Sequence, residues 1–179
     1  MILPTFYIDS RETKSRVPEY IEWYIPEALE RLHWHDTVPI LRKKLDWGDY
    51  AWLDVNNRII AFERKTYTDL LSSMNETAQA KMLRERGFEV APKKIHKVTR
   101  QLYLGVQAGA TMFLLLEGVP WLDDAGKLLG RRSISSVKEM LRRYSLEGIH
   151  FLFTDNPQDT AKELVDTYMM CQRRSETWP

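Results

Sequence analysis

Two short apolar runs of this chain carry charged residues, and these residues are the first candidates for chemistry. Asp49 opens one run, and Glu63, Arg64 and Lys65 close the next. An isolated carboxylate or ammonium ion is costly to bury, so a charge in such a place needs a charged partner or a metal ion. Charges at the ends of apolar strands are therefore functional candidates.

The two runs are expected to form an antiparallel hairpin. Residues 49–55 and 58–62 are rich in aromatic and branched apolar residues, which favour strands. The pair Asn-Asn between them is a turn signal. Because side chains alternate across a strand, Glu63 and Lys65 share one face, and Arg64 points to the other.

The position of Asp49 depends on the length of the turn. A strict two-residue turn at residues 56–57 places Asp49 opposite Arg64, with its side chain on the face away from Glu63. A three-residue loop at residues 55–57 pairs Asp49 with Glu63 instead, because a slip of one residue reverses the face. A shared site for Asp49 and Glu63 therefore requires an odd loop or a bulge.

Two carboxylates and a lysine on one face suit metal-assisted hydrolysis of phosphodiesters. Hard oxygen ligands bind Mg²⁺, which retains several waters and contacts phosphate oxygens. A metal-bound water is an effective nucleophile, and the metal stabilises the charge that develops on the phosphate. Lys65 would orient that water. The pattern Asp…Glu-x-Lys is typical of restriction-endonuclease-like nucleases, but many unrelated proteins contain it by chance.

A longer set of motifs resembles the nuclease domain of the XPF family of structure-specific DNA endonucleases. The central motif, Glu63-Arg64-Lys65 followed by Asp69, matches the family signature Glu-Arg-Lys-x-x-x-Asp. The resemblance extends over roughly residues 6–170. The other matching segments are Ile-Asp-Ser-Arg-Glu at 8–12, Gly-Asp-Tyr at 48–50, the continuation of the central motif to Ser73, Gln101, the run 112–116 before Glu117 and Gly118, residues 151–154, and Thr160 with Ala161.

The resemblance implies a restriction-endonuclease-like α/β fold, with a mixed central sheet flanked by helices. It also implies an endodeoxyribonuclease of DNA repair or recombination that depends on Mg²⁺ or Mn²⁺ and cuts branched DNA, such as a flap, a fork or a junction. Two alternatives stay open. One is a catalytically silent DNA-binding or scaffold subunit of a nuclease complex, and the other is a nonspecific endonuclease on the same fold. The intact central motif argues against the silent subunit.

The resemblance also implies roles for individual residues. For two of these residues the sequence also offers a purely structural role. Asp9 could start a turn with Ser10 rather than belong to the site, and Asp69 could complete a capping box with Thr66 rather than take part in catalysis. The implied catalytic residues are Asp49, Glu63, Lys65, Asp9 and Asp69; the implied metal ligands are Asp49, Glu63, the backbone carbonyl of Arg64, and Asp9; the implied supporting residues are Arg11, Glu12, Arg64 and Gln101.

Positive charge is concentrated in two stretches, although the net charge of the chain is only +1. Residues 81–100 contain seven Lys or Arg against two Glu, and residues 131–143 contain five against one. Charge runs are usually solvated faces, but phosphate contacts supply most nonspecific DNA affinity. Lys97 stands where the family usually has an arginine, so it keeps the charge without bidentate phosphate recognition. The DNA-binding candidates are Lys93, Lys94, Lys97, Arg100, Arg131 and Arg132.

Composition predicts one globular domain across residues 1–179, since 44% of residues are hydrophobic and 28% are charged. Compared with the family, residues 19–36 and 75–97 resemble insertions. Unlike many members of the family, this sequence is not expected to include a tandem helix-hairpin-helix domain. A single cysteine, no signal peptide and no apolar run long enough to span a bilayer predict an intracellular protein, cytoplasmic or associated with DNA in the nucleoid or nucleus, and no membrane partner.

The remaining sequence predicts further strands and helices around the hairpin. The first helix is expected to open at Ile25-Pro26, with Trp23 and Leu29 packed on the core; a lid or a partner-binding helix is the alternative for this segment. Glu117 could be a ligand, but a solvated strand end is favoured. Strands are expected at 2–8, 38–45, 111–116 and 149–153, and helices at 25–32, 95–108 and 134–144.

A last helix is expected after a cap at Asp155 or Asn156, with Pro157 in its first turn. It carries a wide apolar stripe of Ala161, Leu164, Val165, Tyr168 and Met169. Core packing alone explains this stripe. The family works as dimers that pair through this region, so the resemblance implies a homodimer.

Overall fold

The computed structural model of the protein describes residues 2–13, 15–73, 97–129 and 132–173. These ranges contain eight strands and five helices. The elements are β1 (Phe6–Asp9), α1 (Val17–Arg31), β2 (Ile40–Lys43), β3 (Tyr50–Leu53), β4 (Ile59–Thr66), α2 (Tyr67–Ser73), α3 (Lys97–Gln107), β5 (Thr111–Glu117), β6 (Lys127–Leu128), β7 (Arg132–Ser133), α4 (Ile134–Leu146), β8 (His150–Thr154) and α5 (Pro157–Gln172).

Six strands form one mixed sheet in the order β2-β1-β3-β4-β5-β8, and β6 pairs with β7 in a separate two-stranded sheet. The pairs β1–β2, β4–β5 and β5–β8 are parallel, whereas β3 is antiparallel to both β1 and β4. The sheet is therefore mixed, and the predicted α/β architecture of a mixed central sheet flanked by helices is confirmed.

Helices α1 and α5 cover one side of the sheet, here called the first face. Aromatic side chains fill the core beneath them: the ring of Trp52 lies 5.0 Å from Phe6 and 5.0 Å from Phe62, and 5.6 Å from Tyr168 of α5. The apolar stripe predicted for the last helix is buried in this layer, with each of its five residues at most 2% exposed. Packing within one chain therefore accounts for the stripe.

Helices α2, α3 and α4 cover the opposite side, here called the second face. Leu70 of α2, Leu102 of α3 and Val137 of α4 join one buried cluster with the strand residues Met112 and Leu116. Alternation along β4 and β5 sends adjacent side chains to opposite faces. Charged residues at the end of β4 are thus divided between the two layers.

The predicted start of the first helix is wrong, because α1 begins at Val17 rather than at Ile25. Pro18 lies in the first turn, where its missing N–H costs no hydrogen bond. Pro26 lies inside the helix, where it would normally break it. The helix continues because Val17, Ile21, Ile25 and Ala28 recur at helical spacing and are buried.

Other expectations hold with shifted boundaries. Strand β2 is shorter than residues 38–45 and lies at the edge of the sheet. The side chain of Asn156 caps α5 by accepting hydrogen bonds from the N–H groups of Gln158 and Asp159. The predicted packing of Trp23 on the core is wrong, because 59% of its surface is exposed.

Across the described ranges, no helix has the length and apolar character needed to cross a membrane.

Candidate functional site

The loop of the β3–β4 hairpin sets the register of the site. Register pairs run from Tyr50–Phe62 to Leu53–Ile59, so position 49 falls opposite position 63. The N–H of Asp54 donates to the carbonyl of Arg58 at 2.9 Å, which leaves a three-residue loop at 55–57. The odd loop that a shared site requires is therefore confirmed.

Asp54 stabilises this three-residue loop. Its carboxylate accepts hydrogen bonds from the N–H groups of Asn56 and Arg58, each at 2.8 Å, and from Nε of Arg58 at 2.7 Å. Burial acts to raise the pKa of Asp54, but these hydrogen bonds outweigh it and leave the pKa lowered. Asn57 adopts a left-handed conformation with φ of 60°, which asparagine tolerates better than most residues. This loop chemistry selects the odd register.

Backbone hydrogen bonds hold Asp49 between β1 and β4. Its N–H donates to the carbonyl of Phe62 at 2.6 Å, and its carbonyl accepts from the N–H of Asp9 at 2.8 Å. The N–H of Arg64 donates to Oδ2 of Asp49 at 2.8 Å and orients the carboxylate. Gly48 precedes it with φ of +75°, and a Cβ there would lie 3.0 Å from the carbonyl oxygen of Phe62. Only glycine fits this approach without strain.

Glu63 and Lys65 meet on the second face, as alternation along the strand predicts. Glu63 is fully buried, and the Lys65 ammonium group donates to its Oε1. The same ammonium group donates to the backbone carbonyl of Arg64 at 3.2 Å. Burial acts to lower the pKa of Lys65, but the charges of Glu63 and Asp49 outweigh it and raise this pKa. Asp49, in contrast, has a raised pKa because burial outweighs the attraction of Lys65.

Asp9 reaches the site from the end of β1, but protein donors occupy its carboxylate. Its Oδ1 accepts from the backbone N–H and the Nε of Arg11, and its Oδ2 accepts from Nη2 of Arg11 and from the N–H of Leu45. Burial acts to raise the pKa of Asp9, but these bonds together lower it. Metal ligation by Asp9 stays a prediction, and it requires some of these bonds to break. The positive charge of Arg11 also interacts with Asp49 and Glu63.

Arg64 points to the first face and joins a buried polar network there. Its Nε donates to Glu117 at 2.9 Å, its Nη2 donates to the other oxygen of Glu117, and its Nη1 donates to Glu12 at 3.1 Å. The hydroxyl of Thr160 on α5 also donates to Glu117, at 2.7 Å, and lies 2.6 Å from the hydroxyl of Thr154. This network joins the end of β4 to β5, β8 and the first turn of α5.

The expectation that Glu117 is a solvated strand end is wrong, because it is only 5% exposed and bonds to Arg64 through both oxygens. Sequence reasoning also gave no role to Thr154 or Thr160 in this network. Two signals were available in the sequence. Glu117 follows directly after the apolar run 111–116, and Arg64 points away from the face of Glu63 and Lys65, where it needs an acidic partner. These signals could not name the partner, because β4 and β5 lie about 50 residues apart in the chain.

Asp69 and Gln101 lie at the border of the site on α2 and α3. The Thr66 hydroxyl accepts from the N–H of Asp69 at 3.1 Å and donates to its Oδ2 at 2.9 Å, as at a helix N-terminus. The charge of Asp69 also acts on Lys65, so its catalytic role stays a prediction. Gln101 is half-buried, and within the described residues its Oε1 has no hydrogen-bond partner.

The structure describes the DNA-binding candidates only in part. Arg100 is exposed on α3, and Arg132 is half-buried on β7. Lys97 begins α3, but its side chain lies outside the described part of the structure. Lys93, Lys94 and Arg131 lie outside the described residues altogether, as does most of the predicted insertion at 75–97.

The oxygen atoms near the end of β4 have the chemistry of a Mg²⁺ site. The carboxylates of Asp49 and Glu63 and the carbonyl of Arg64 are hard ligands, and Mg²⁺ commonly takes one or two carboxylates and fills its other positions with water or phosphate. Lys65 already lies against two of these oxygens as a cation. In the described residues, no three or more His, Cys, Asp or Glu side chains form a metal-binding group. The residues present thus fit a site in which protein oxygens fill some coordination positions of the cation and water or phosphate fills the others.

A six-stranded mixed sheet flanked by helices, with charged side chains gathered where β4 ends, defines an α/β domain of the restriction-endonuclease-like class. The sequence matches the ERCC4 domain over residues 8–167. Because this match covers most of the chain, the protein belongs to the ERCC4 domain family.

The fold is similar to that of solved XPF structures. XPF from Aeropyrum pernix aligns with a TM-score of 0.57 and 24% identity, over 96% of this chain and 66% of that one. XPF from Aeropyrum pernix in complex with DNA aligns with a TM-score of 0.51 and 25% identity, over 93% and 63%. The chain therefore spans slightly less than two thirds of the XPF chains it matches. No curated protein matches it.

Proposed function

We propose that this protein is a DNA endonuclease that hydrolyses phosphodiester bonds with Mg²⁺ or Mn²⁺. The observation that carries the proposal is the convergence of Asp49, Glu63, Lys65 and the Arg64 carbonyl at the end of β4. The three-residue hairpin loop and the hydrogen bonds that Asp49 makes with Phe62, Asp9 and Arg64 hold these groups together. Membership of the ERCC4 domain family supports the proposal.

Asp49, Glu63 and the backbone carbonyl of Arg64 would hold the divalent cation. The cation would supply positive charge against the phosphate and lower the pKa of a bound water. The N–H of Arg64 orients the Asp49 carboxylate, and Lys65 compensates the charge of Glu63. The Asp49 carboxylate is thereby oriented before the substrate binds.

Lys65 would position the attacking water. Its ammonium group has three N–H donors, and two of them are engaged by Glu63 and by the carbonyl of Arg64. The third can donate to a water or to a phosphate oxygen. Because the pKa of Lys65 is raised, the group stays protonated at neutral pH, so its role is to orient and to stabilise charge rather than to accept a proton.

DNA is the proposed substrate, and branched DNA is its proposed form. The similar XPF structure in complex with DNA supports binding of DNA. Arg100 is exposed on α3, and Arg132 lies on β7. Helix α3 packs on the second face of the sheet, which also carries Glu63 and Lys65, and β7 pairs with Leu128 of the same buried cluster. We propose these cations, together with Lys93, Lys94, Lys97 and Arg131, as contacts to the phosphate backbone.

Cleavage of matched substrates by the purified chain tests this function. Labelled flap, fork, four-way junction and continuous duplex DNA of shared sequence are incubated with Mg²⁺, Mn²⁺, Ca²⁺ or a chelator. We expect Mg²⁺ or Mn²⁺ to support cutting of the branched forms, the chelator to abolish it, and continuous duplex to be cut more slowly. The cut position is mapped on each strand.

Each contrary outcome removes a different part of the proposal. Undiminished cutting in the chelator excludes the metal mechanism. Equal rates on all four DNA forms indicate a nonspecific endonuclease. Tight binding of branched DNA without cutting in any metal indicates a silent DNA-binding subunit.

We also propose that the protein forms a homodimer through the C-terminal region of α5. The stripe on α5 is buried within the chain, so a dimer must use other residues. Met170, Leu53 and Val55 are 56%, 37% and 40% exposed. The N–H of Val55 donates to the carbonyl of Cys171, and the side chain of Gln172 donates to the carbonyl of Leu53, so the backbone of both residues lies beside the end of α5. Light scattering on a size-exclusion column should give twice the chain mass at micromolar concentration. A monomer that persists at this concentration would exclude the dimer.

A further inference from the structure

Trp121 is a large aromatic side chain for which the chain itself offers little cover. It is 60% exposed, between Val119, which is 72% exposed, and Leu122, which is 44% exposed. Among the described residues, no ring or cation lies against it, whereas the equally exposed Trp23 packs 4.7 Å from Tyr24. Contiguous exposed apolar groups commonly mark binding sites.

The backbone around Trp121 is held firmly even though its side chain is exposed. Its carbonyl accepts from the N–H of Leu129 at 2.9 Å, and Leu122 forms a β-bridge with Leu128. Asp123 closes the intervening turn by accepting from the N–H groups of Ala125 and Lys127. An exposed aromatic ring on an ordered loop loses little conformational entropy when it binds.

The loop that carries Trp121 leaves the sheet beside the candidate site. It follows the end of β5, and Glu117 there pairs in register with Thr66 at the end of β4. Trp121 comes four positions after Glu117, so their Cα atoms lie at most about 15 Å apart. Leu128, which anchors the loop, belongs to the same buried cluster as Leu116 on the second face. Trp121 therefore lies on a loop that leaves the sheet at the same end as Glu63 and Lys65 and is anchored through Leu128 to the second face.

Cations flank this loop on β6, β7 and α4, against one exposed carboxylate of the loop at Asp124. Lys127 is exposed on β6, and Arg132 lies opposite Leu128 on β7. Helix α4 follows directly and carries further cations among residues 138–143. The Asp123 carboxylate is engaged by the loop's own N–H groups. An aromatic ring combined with neighbouring cations is the usual platform for an unpaired nucleotide.

We propose that Trp121 stacks on an unpaired base of the DNA next to the site of cleavage, and that this contact favours branched DNA over continuous duplex. The inference rests on the proposed function, because it takes DNA as the substrate. In continuous duplex every base is already stacked and paired, so Trp121 gains no partner there. A flap or fork offers an unpaired base at the branch, and the ring then adds binding energy to that substrate alone.

Equilibrium binding in chelator separates this contact from catalysis. Fluorescence anisotropy is measured for labelled flap and duplex DNA with the wild type, Trp121→Ala, Trp121→Phe and the matched control Trp23→Ala on α1. Stacking on one base changes affinity roughly 5- to 150-fold. We expect Trp121→Ala to weaken flap binding by a factor in this range and to leave duplex binding unchanged. Trp121→Phe should retain part of the preference, and Trp23→Ala should match the wild type.

A second readout places the ring against the base. A 2-aminopurine at the unpaired position beside the branch should lose fluorescence on binding of the wild type and regain it with Trp121→Ala. Far-UV circular dichroism and the thermal midpoint confirm that each variant is folded. Because both tryptophans are exposed, neither substitution is expected to change the midpoint appreciably.

The outcomes distinguish this inference from the proposed function. If the wild type cuts branched DNA but Trp121→Ala keeps the flap preference, or loses flap and duplex affinity equally, the stacking role is overturned and the nuclease stands. If Trp121→Ala only converts a dimer to a monomer in light scattering, the surface binds protein and the inference is overturned. If the wild type binds no DNA of any form, both fail.

Discussion

Glutamine in place of Glu63 is expected to reduce DNA cleavage by at least about 1,000-fold, which corresponds to about 4 kcal/mol in the activation free energy. The amide has almost the shape of the carboxylate and can still accept a hydrogen bond from Lys65. It has no negative charge, so it loses most of its affinity for a divalent cation. Single-turnover cleavage of a labelled flap at saturating enzyme measures the effect on the chemical step.

The control for this substitution is Glu30→Gln, which makes the same chemical change at an exposed position of α1. It should leave cleavage unchanged. Circular dichroism and flap binding in chelator should show that Glu63→Gln remains folded and still binds DNA. Metal-dependent cleavage by Glu63→Gln at the wild-type rate would contradict the assignment of Glu63 as a metal ligand and overturn the proposed site.

Alanine in place of Glu117 is expected to destabilise the fold by about 3–5 kcal/mol, the usual cost of removing one partner from a buried ion pair. The Arg64 side chain has 13% of its surface exposed, and among the described residues it would keep only Glu12 as an ion-pair partner. Urea unfolding followed by circular dichroism measures the loss. Cleavage of flap DNA should fall as well, because Arg64 supplies both the N–H that orients Asp49 and a carbonyl of the proposed metal site.

The matched control is Glu139→Ala, which also removes the glutamate that forms an ion pair with an arginine. The Glu139–Arg143 pair on α4 is exposed, with 62% and 73% of the side-chain surfaces accessible. Exposed pairs contribute at most about 1 kcal/mol, so this variant should be nearly as stable as the wild type. Equal small losses for Glu117→Ala and Glu139→Ala would show that the network around Arg64 does not stabilise the end of β4.

A double substitution distinguishes loss of the pair from loss of either residue alone. If Arg64 and Glu117 act as a unit, the Arg64→Ala and Glu117→Ala variant should be destabilised by less than the two single effects added together. The reason is that the second substitution removes the charge that the first left uncompensated. Strict additivity would indicate that each residue contributes independently of the other.

Local sequence patterns were sufficient for the alternation of side chains along β4. Alternation along β4 correctly placed Glu63 and Lys65 on one face and Arg64 on the other. A shared site for Asp49 and Glu63 required an odd loop or a bulge, but only the structure decided between this loop and a two-residue turn. The cap at Asn156 and the strand β5 were likewise predictable, because each depends on neighbouring residues alone.

The tertiary structure decided which distant elements meet. No local pattern indicates that Glu117 at the end of β5 pairs with Arg64 on β4, since the parallel register depends on packing on both faces of the sheet. The same reason explains α1: burial of its apolar residues against α5 and the sheet keeps the helix intact through Pro26, where local propensity predicts a break. It also explains Trp121, whose exposure beside the site follows from where the loop after β5 leaves the sheet. The sequence alone thus determined the kinds of charge in the site and their order along the hairpin, whereas nonlocal packing determined their partners.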